Sequence, residues 1–138
     1  MKIVVIDGQG GRMGKLLCEA ISTKLPKSNL SAIGTNSIAT SEMLKGGASL
    51  GATGENPVIV ACSDADVIIG PIGIVVADSL LGEITPRMAV AIGQSKAYKI
   101  LLPVNHCNNH VVGVTDLSMN EMISQAVADL LKFVNMQS

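Results

Sequence analysis

The chain has 138 residues, room for one domain with one sizeable core and not for two. Ten Lys and Arg stand against eleven Asp and Glu with no run of like charge, and one Tyr, one Phe and no Trp offer no stacking platform. That composition argues against a nucleic-acid partner. Hydrophobic residues reach 48% against 15% charged, which excludes disorder and sends the apolar excess into a buried sheet or a subunit contact.

The longest uncharged apolar run, Val67 to Ala77, is broken by Gly70, Pro71 and Gly73 and falls short of the ~20 residues of a membrane span. The start, MKIVVIDGQGGRMG, runs from an apolar strand into glycines and lacks a secretory pattern, so the chain is expected in the cytoplasm. Cys18, Cys62 and Cys107 show no CxxC spacing, and no disulfide framework is expected.

In chain order, Lys2 to Asp7 reads as a central parallel strand, apolar on both faces. From Met13, residues Leu16, Leu17, Ala20 and Ile21 form one face of a helix that Pro26 stops. A second strand runs Leu30 to Thr35, then a short helix capped by Ser37 and ended by Gly46-Gly47. Glycine-rich residues 46–54 read as a loop or a feeble edge strand, followed by a short helix from Pro57 and a strand from Asp66 to Gly70. Ile72 to Leu81 reads as helix, Thr85-Pro86 opens a clearer one to about Ala97, and Lys99 to Val104 is a buried strand. His110 to Thr115 reads as one more short strand, and a capping box from Ser118 to Glu121 starts the last helix, apolar from Met122 to Val134.

This alternation predicts a single α/β domain over residues 1–138, a three-layer, doubly wound, mostly parallel, Rossmann-like sheet of about five or six strands. Ligands of such sheets bind outside the carboxyl ends of the strands. The residues so placed are Asp7 to Gly14, Thr35-Asn36-Ser37, Gly70-Pro71-Ile72-Gly73 as a far wall, and Pro103 to His110, Asn105 among them.

In Gly8-Gln9-Gly10-Gly11-Arg12-Met13-Gly14, glycines at spacing three lie between a strand and a helix. There they permit a tight turn and bring a phosphate to the backbone, at the positive end of the helix. Arg12 and Lys15 could add charge. A Walker A loop is excluded, since position 9 is Gln and Leu16 follows Lys15. The second strand ends Gly34-Thr35-Asn36-Ser37 without the acid that holds an NAD ribose, which points to NADP or another nucleotide. Asp7 would repel a phosphate unless turned to backbone amides or a ribose hydroxyl. The plain alternative is that the glycines only make the turn.

His106-Cys107-Asn108-Asn109-His110 could supply three zinc ligands or a Cys107 nucleophile, but lacks a fourth ligand and reads more simply as a turn. Asp78-Ser79 and Glu83 read as helix polarity and capping.

The run GGRMGK resembles the nucleotide loop of dihydrodipicolinate reductase, a family that uses NADH or NADPH. The resemblance implies that Gly8, Gly11, Arg12, Met13 and Gly14 face a pyrophosphate, but it covers only about the first twenty residues, and the family's catalytic segment and substrate domain have no counterpart here. Over most of its length, in IDGQGG, GTNSIATS, GATGEN, IIGPIGIVVADSLLGEITP and ILLPVN, the chain is similar to an uncharacterised family of short bacterial Rossmann-like proteins. That likeness implies a fold and a cytoplasmic setting, not an activity.

The leading functional reading is a module binding a nucleotide or other phosphate-bearing metabolite. The alternatives are a small enzyme using His106, Cys107 or Asp7, or a ligand-free assembly protein. A homodimer is expected, through Ile72 to Leu81 and Met122 to Val134.

Overall fold

The computed structural model describes residues 1–104 and 108–137. Along the chain run β1 (Lys2–Asp7), α1 (Arg12–Lys24), β2 (Asn29–Gly34), α2 (Ser37–Lys45), β3 (Leu50–Thr53), α3 (Glu55–Asp64), β4 (Val67–Pro71), a 3-10 turn (Ile72–Val75), α4 (Pro86–Gln94), β5 (Tyr98–Leu102) and α5 (Met119–Met136). The strands form one sheet in the order β3-β2-β1-β4-β5, every pair parallel. This is the expected doubly wound α/β architecture, with five strands.

Strand side chains alternate between two cores. Ile3, Val5, Leu30, Ala32, Val67 and Ile69 pack under α1, α2 and α5. Val4, Ile6, Ile33 and Ile68 pack under α3 and α4. Both faces of β1 are covered, which is why its sequence shows no polar alternation. The order reverses between β1, which is followed by β2 on one side, and β4 on the other, so the crevice outside the carboxyl ends of these strands is where such a sheet holds a ligand.

Several elements differ from the sequence expectations. Ile72 to Leu81 is not a helix: after the 3-10 turn, Asp78, Leu80 and Leu81 adopt φ of 65°, 54° and 55° and Gly82 87°. Here the Ser79 hydroxyl donates to the Gly73 carbonyl and the Asp78 N–H to the Ile84 carbonyl at 2.7 Å, while Ile74, Leu80 and Ile84 are buried. Side-chain bonding to the backbone and burial of three apolar residues win over helical periodicity. Among the described residues His110 to Thr115 pairs with no strand, and Gly113 at φ 86° turns its backbone away from extension. Asn36, not Ser37, caps α2, its Oδ1 accepting from the Ala39 N–H at 2.9 Å. The helix expected from Pro57 starts at Glu55, and α4 stops at Gln94, with Ser95 and Lys96 outside it. Within residues 46–54 the feeble strand is real, a four-residue edge.

The two segments assigned to a dimer contact cover the sheet. In α5, Ile123, Ala126, Val127 and Leu130 are buried against β5 and α1, and in the other segment Gly73, Ile74 and Leu80 are buried. Their buried residues pack inside one chain, while Leu81, at the end of the first segment, is 96% exposed.

Candidate functional site

The turn from β1 into α1 is held by a carboxylate inside it. Asp7 is buried, and the N–H groups of Gly8 and Gly14 donate to its Oδ1 and Oδ2 at 2.8 and 2.7 Å. Burial pushes the Asp7 carboxyl above its ordinary pKa, with the charge of Glu83 adding to the rise and the two amide bonds working against it. Asp7 is thus turned to backbone amides, one of the two arrangements that the sequence left open.

The glycines divide by role. A β-carbon on Gly8 would lie 2.5 Å from Thr35 Oγ1, on Gly11 2.6 Å from Ala39 Cα, and on Gly14 2.5 Å from Met43 Sδ. The spacing of three therefore lets the loop press on the end of β2 and on α2. A β-carbon on Gly10 would meet nothing within 4 Å. Similarly, one on Gly70 would run into the Ile6 carbonyl, so that glycine serves strand packing.

Of the loop amides, Gly8 and Gly14 are engaged by Asp7, Gln9 by Glu83, and Gly11 by the Gly8 carbonyl at 3.0 Å. The amides of Gly10, Arg12 and Met13 have no acceptor among the described residues. All three residues border a cavity of about 140 Å³ whose walls are Pro71, Leu80, Val104 and Met119. Arg12 is exposed at its rim and makes no ion pair among the described residues. Lys15 instead pairs with Glu42 on α2 at 3.6 Å.

Glu83 is the residue that sequence reasoning placed elsewhere. It is not a helix cap: its Oε1 accepts from the Gln9 N–H at 2.8 Å, from Thr35 Oγ1 at 2.5 Å and from Asn36 Nδ2 at 2.9 Å. Asn36 Nδ2 also donates to the Gln9 carbonyl at 2.9 Å. Burial works to raise the Glu83 pKa, and the bonds from Thr35, Gln9 and Asn36 outweigh it, leaving the carboxyl below its ordinary value. No local pattern links positions 74 residues apart, and Leu80 and Met119 were missed for the same reason, whereas Val104 falls within the expected Pro103 to His110 segment.

Thr35 and Asn36 thus reach the site through Glu83, while Ser37 is exposed at the start of α2. Of Gly70-Pro71-Ile72-Gly73, only Pro71 lines the cavity. Asn105, His106 and Cys107 lie outside the described residues, and His110 is exposed. Among the described residues no group of three His, Cys, Asp or Glu could hold a metal. Cys18 and Cys62 are buried, which pushes their thiols up to about 12 and about 11. Among the described residues no helix is long and apolar enough to cross a membrane.

The model of a family described as "Domain of unknown function (DUF3842)" matches residues 2–135, and the chain belongs to that family. This agrees with the likeness to an uncharacterised Rossmann-like family read from its longer motifs. No curated protein matches the chain. Among solved structures, the dodecameric FMN-dependent Ubix-like decarboxylase from Escherichia coli O157:H7 is similar with a TM-score of 0.48 at 14% identity, over 98% of this chain and 94% of that one.

Proposed function

We propose that this DUF3842 chain binds a nucleotide or another phosphate-bearing metabolite, with a phosphate on the amides of Gly10, Arg12 and Met13. The observation that carries the reading is that these three amides, without acceptors among the described residues, border one cavity at the start of a 13-residue helix. A helix N-terminus offers both free N–H donors and the positive end of a dipole. Arg12 at the rim adds a cation.

Asp7 and Glu83 bring negative charge close to this place. Each is bonded to loop amides other than those three, so the two carboxylates set the shape of the loop without occupying its remaining donors. Ligand pockets usually span about 300–1,000 Å³. A cavity of about 140 Å³ therefore suits a phosphate group, and the rest of the ligand would lie across the carboxyl edge of the sheet beside Pro71, Leu80 and Met119.

Calorimetric titration of ADP and of inorganic pyrophosphate into the protein and into Gly10→Asp tests this. Both compounds should bind the parent and neither the variant, whose new carboxylate has open space to occupy and stands beside the amides. Equal affinity in the two proteins contradicts the reading.

A further inference from the structure

We infer that Glu83 is the specificity-determining residue of this site, accepting a hydrogen bond from a ribose 2′-hydroxyl and thereby selecting nucleotides with a free 2′,3′-diol over those with a 2′-phosphate. The inference rests on the phosphate reading above and extends it to the sugar.

In a doubly wound sheet, the acid that holds the ribose stands at the carboxyl end of the second strand, against the glycine turn. In this chain β2 ends at Gly34 and is followed by Thr35 and Asn36, with no acid among them. In space the place is filled. Glu83 arrives from the segment between β4 and α4 and lies between the glycine turn and the end of β2, bonded to Gln9 on one side and to Thr35 and Asn36 on the other. The reason for expecting a 2′-phosphate, that no acid stands there, is thereby removed.

Two further features mark the arrangement as more than a surface contact. All three bonds fall on Oε1, while Oε2 has no hydrogen-bond partner among the described residues and is free to accept from a ligand hydroxyl. The segment delivering Glu83 also holds Asp78, Leu80 and Leu81 at φ between 54° and 65°, a region side-chain-bearing residues rarely adopt. Such strain persists where surrounding structure over-determines it, and it clusters at ligand sites. Leu80, in this same segment, walls the phosphate cavity, so one strained turn would shape both halves of the site. A 2′-phosphate would set a second anion against a carboxylate kept ionised by three donors, whereas a hydroxyl donates to it.

The test compares ADP, 2′-deoxy-ADP and ADP bearing a 2′-phosphate on the unaltered chain by calorimetry, and repeats the first two on Glu83→Gln. Loss of the 2′-hydroxyl should weaken binding to the unaltered chain by roughly tenfold, as expected for a hydrogen bond to a charged group. The 2′-phosphate should also weaken it. In Glu83→Gln, ADP and 2′-deoxy-ADP should bind within about twofold of each other, because the partner that reads the hydroxyl is gone. Should Glu83→Gln fail to fold, the three-ligand comparison on the unaltered chain still decides. If pyrophosphate binds but ADP and 2′-deoxy-ADP are equal, or the 2′-phosphate form binds tighter, the role of Glu83 is overturned and the phosphate site stands. If neither ADP nor pyrophosphate binds, both are overturned.

Discussion

Gly11 and Ala39 touch through their backbones: a β-carbon on Gly11, at φ 73°, would fall 2.6 Å from the Cα of Ala39 and 3.0 Å from its carbonyl oxygen. The glycine turn is thereby seated on α2, and no side-chain rotation can relieve the clash. Gly11→Ala should destabilise the chain by roughly 1–3 kcal/mol, from overpacking and from a left-handed backbone that alanine disfavours. Gly10→Ala, with open space around it, should lie within about 0.5 kcal/mol of the parent. Urea unfolding midpoints at unchanged slope separate the two. Equal losses would mean that the turn is not seated as described.

Asp7 and Glu83 should make stability depend on pH in opposite senses. The folded pKa of Asp7 lies above its ordinary 3.8, so its contribution is full below that value and is lost as pH rises through the folded pKa. The folded pKa of Glu83 lies below its ordinary 4.5, so its contribution is present above 4.5 and is lost as pH falls through the folded pKa. The stability difference between the parent and Asp7→Asn should therefore move against the parent as pH rises from about 3.8. The difference between the parent and Glu83→Gln should favour the parent near neutrality and shrink below about 4.5. Chemical unfolding at a series of pH values reads both slopes, and slopes of the same sign would contradict the assignment.

Leu130 is fully buried between α5 and the sheet, so it belongs to the core of one chain and not to a contact between chains. Leu130→Ala should cost about 2–5 kcal/mol and leave the mass in solution unchanged. Leu130→Glu, which buries an unpaired charge, should unfold the chain. Circular dichroism with light scattering checks this, and a folded Leu130→Glu of lower mass than the parent would place that face in an interface instead.

What was legible in the sequence follows the range of the interaction behind each feature. Val4, Val5 and Ile6 have both faces covered, so an unbroken apolar run announced β1. Ser118 and Glu121 form a capping box through neighbouring backbone, and the start of α5 was visible in four residues. Ser37 suits the cap of α2 as well by sequence as Asn36 beside it, and only the backbone angles decide between them. The turn after β4 was illegible because left-handed Leu80 and Leu81 have no sequence signature, and their cost is met by burial of Leu80 and Ile84. At the site, the glycines were readable as a turn, but which of them packs and which stays open depends on Thr35, Ala39 and Met43 across the fold. Glu83 could be recognised only once the segment after β4 was seen to return to Gln9.

The central claim, that phosphate is held by particular amides of the β1–α1 turn, is tested most directly by amide NMR of the ¹⁵N-labelled chain during titration with ADP. The account predicts saturable shifts led by the N–H groups of Gly10, Arg12 and Met13, with Gly8 and Gly14 moving less because Asp7 already holds them. If these three amides stay in place while the ligand saturates, or the largest shifts fall away from the carboxyl edge of the sheet, the phosphate is held elsewhere and the account is wrong.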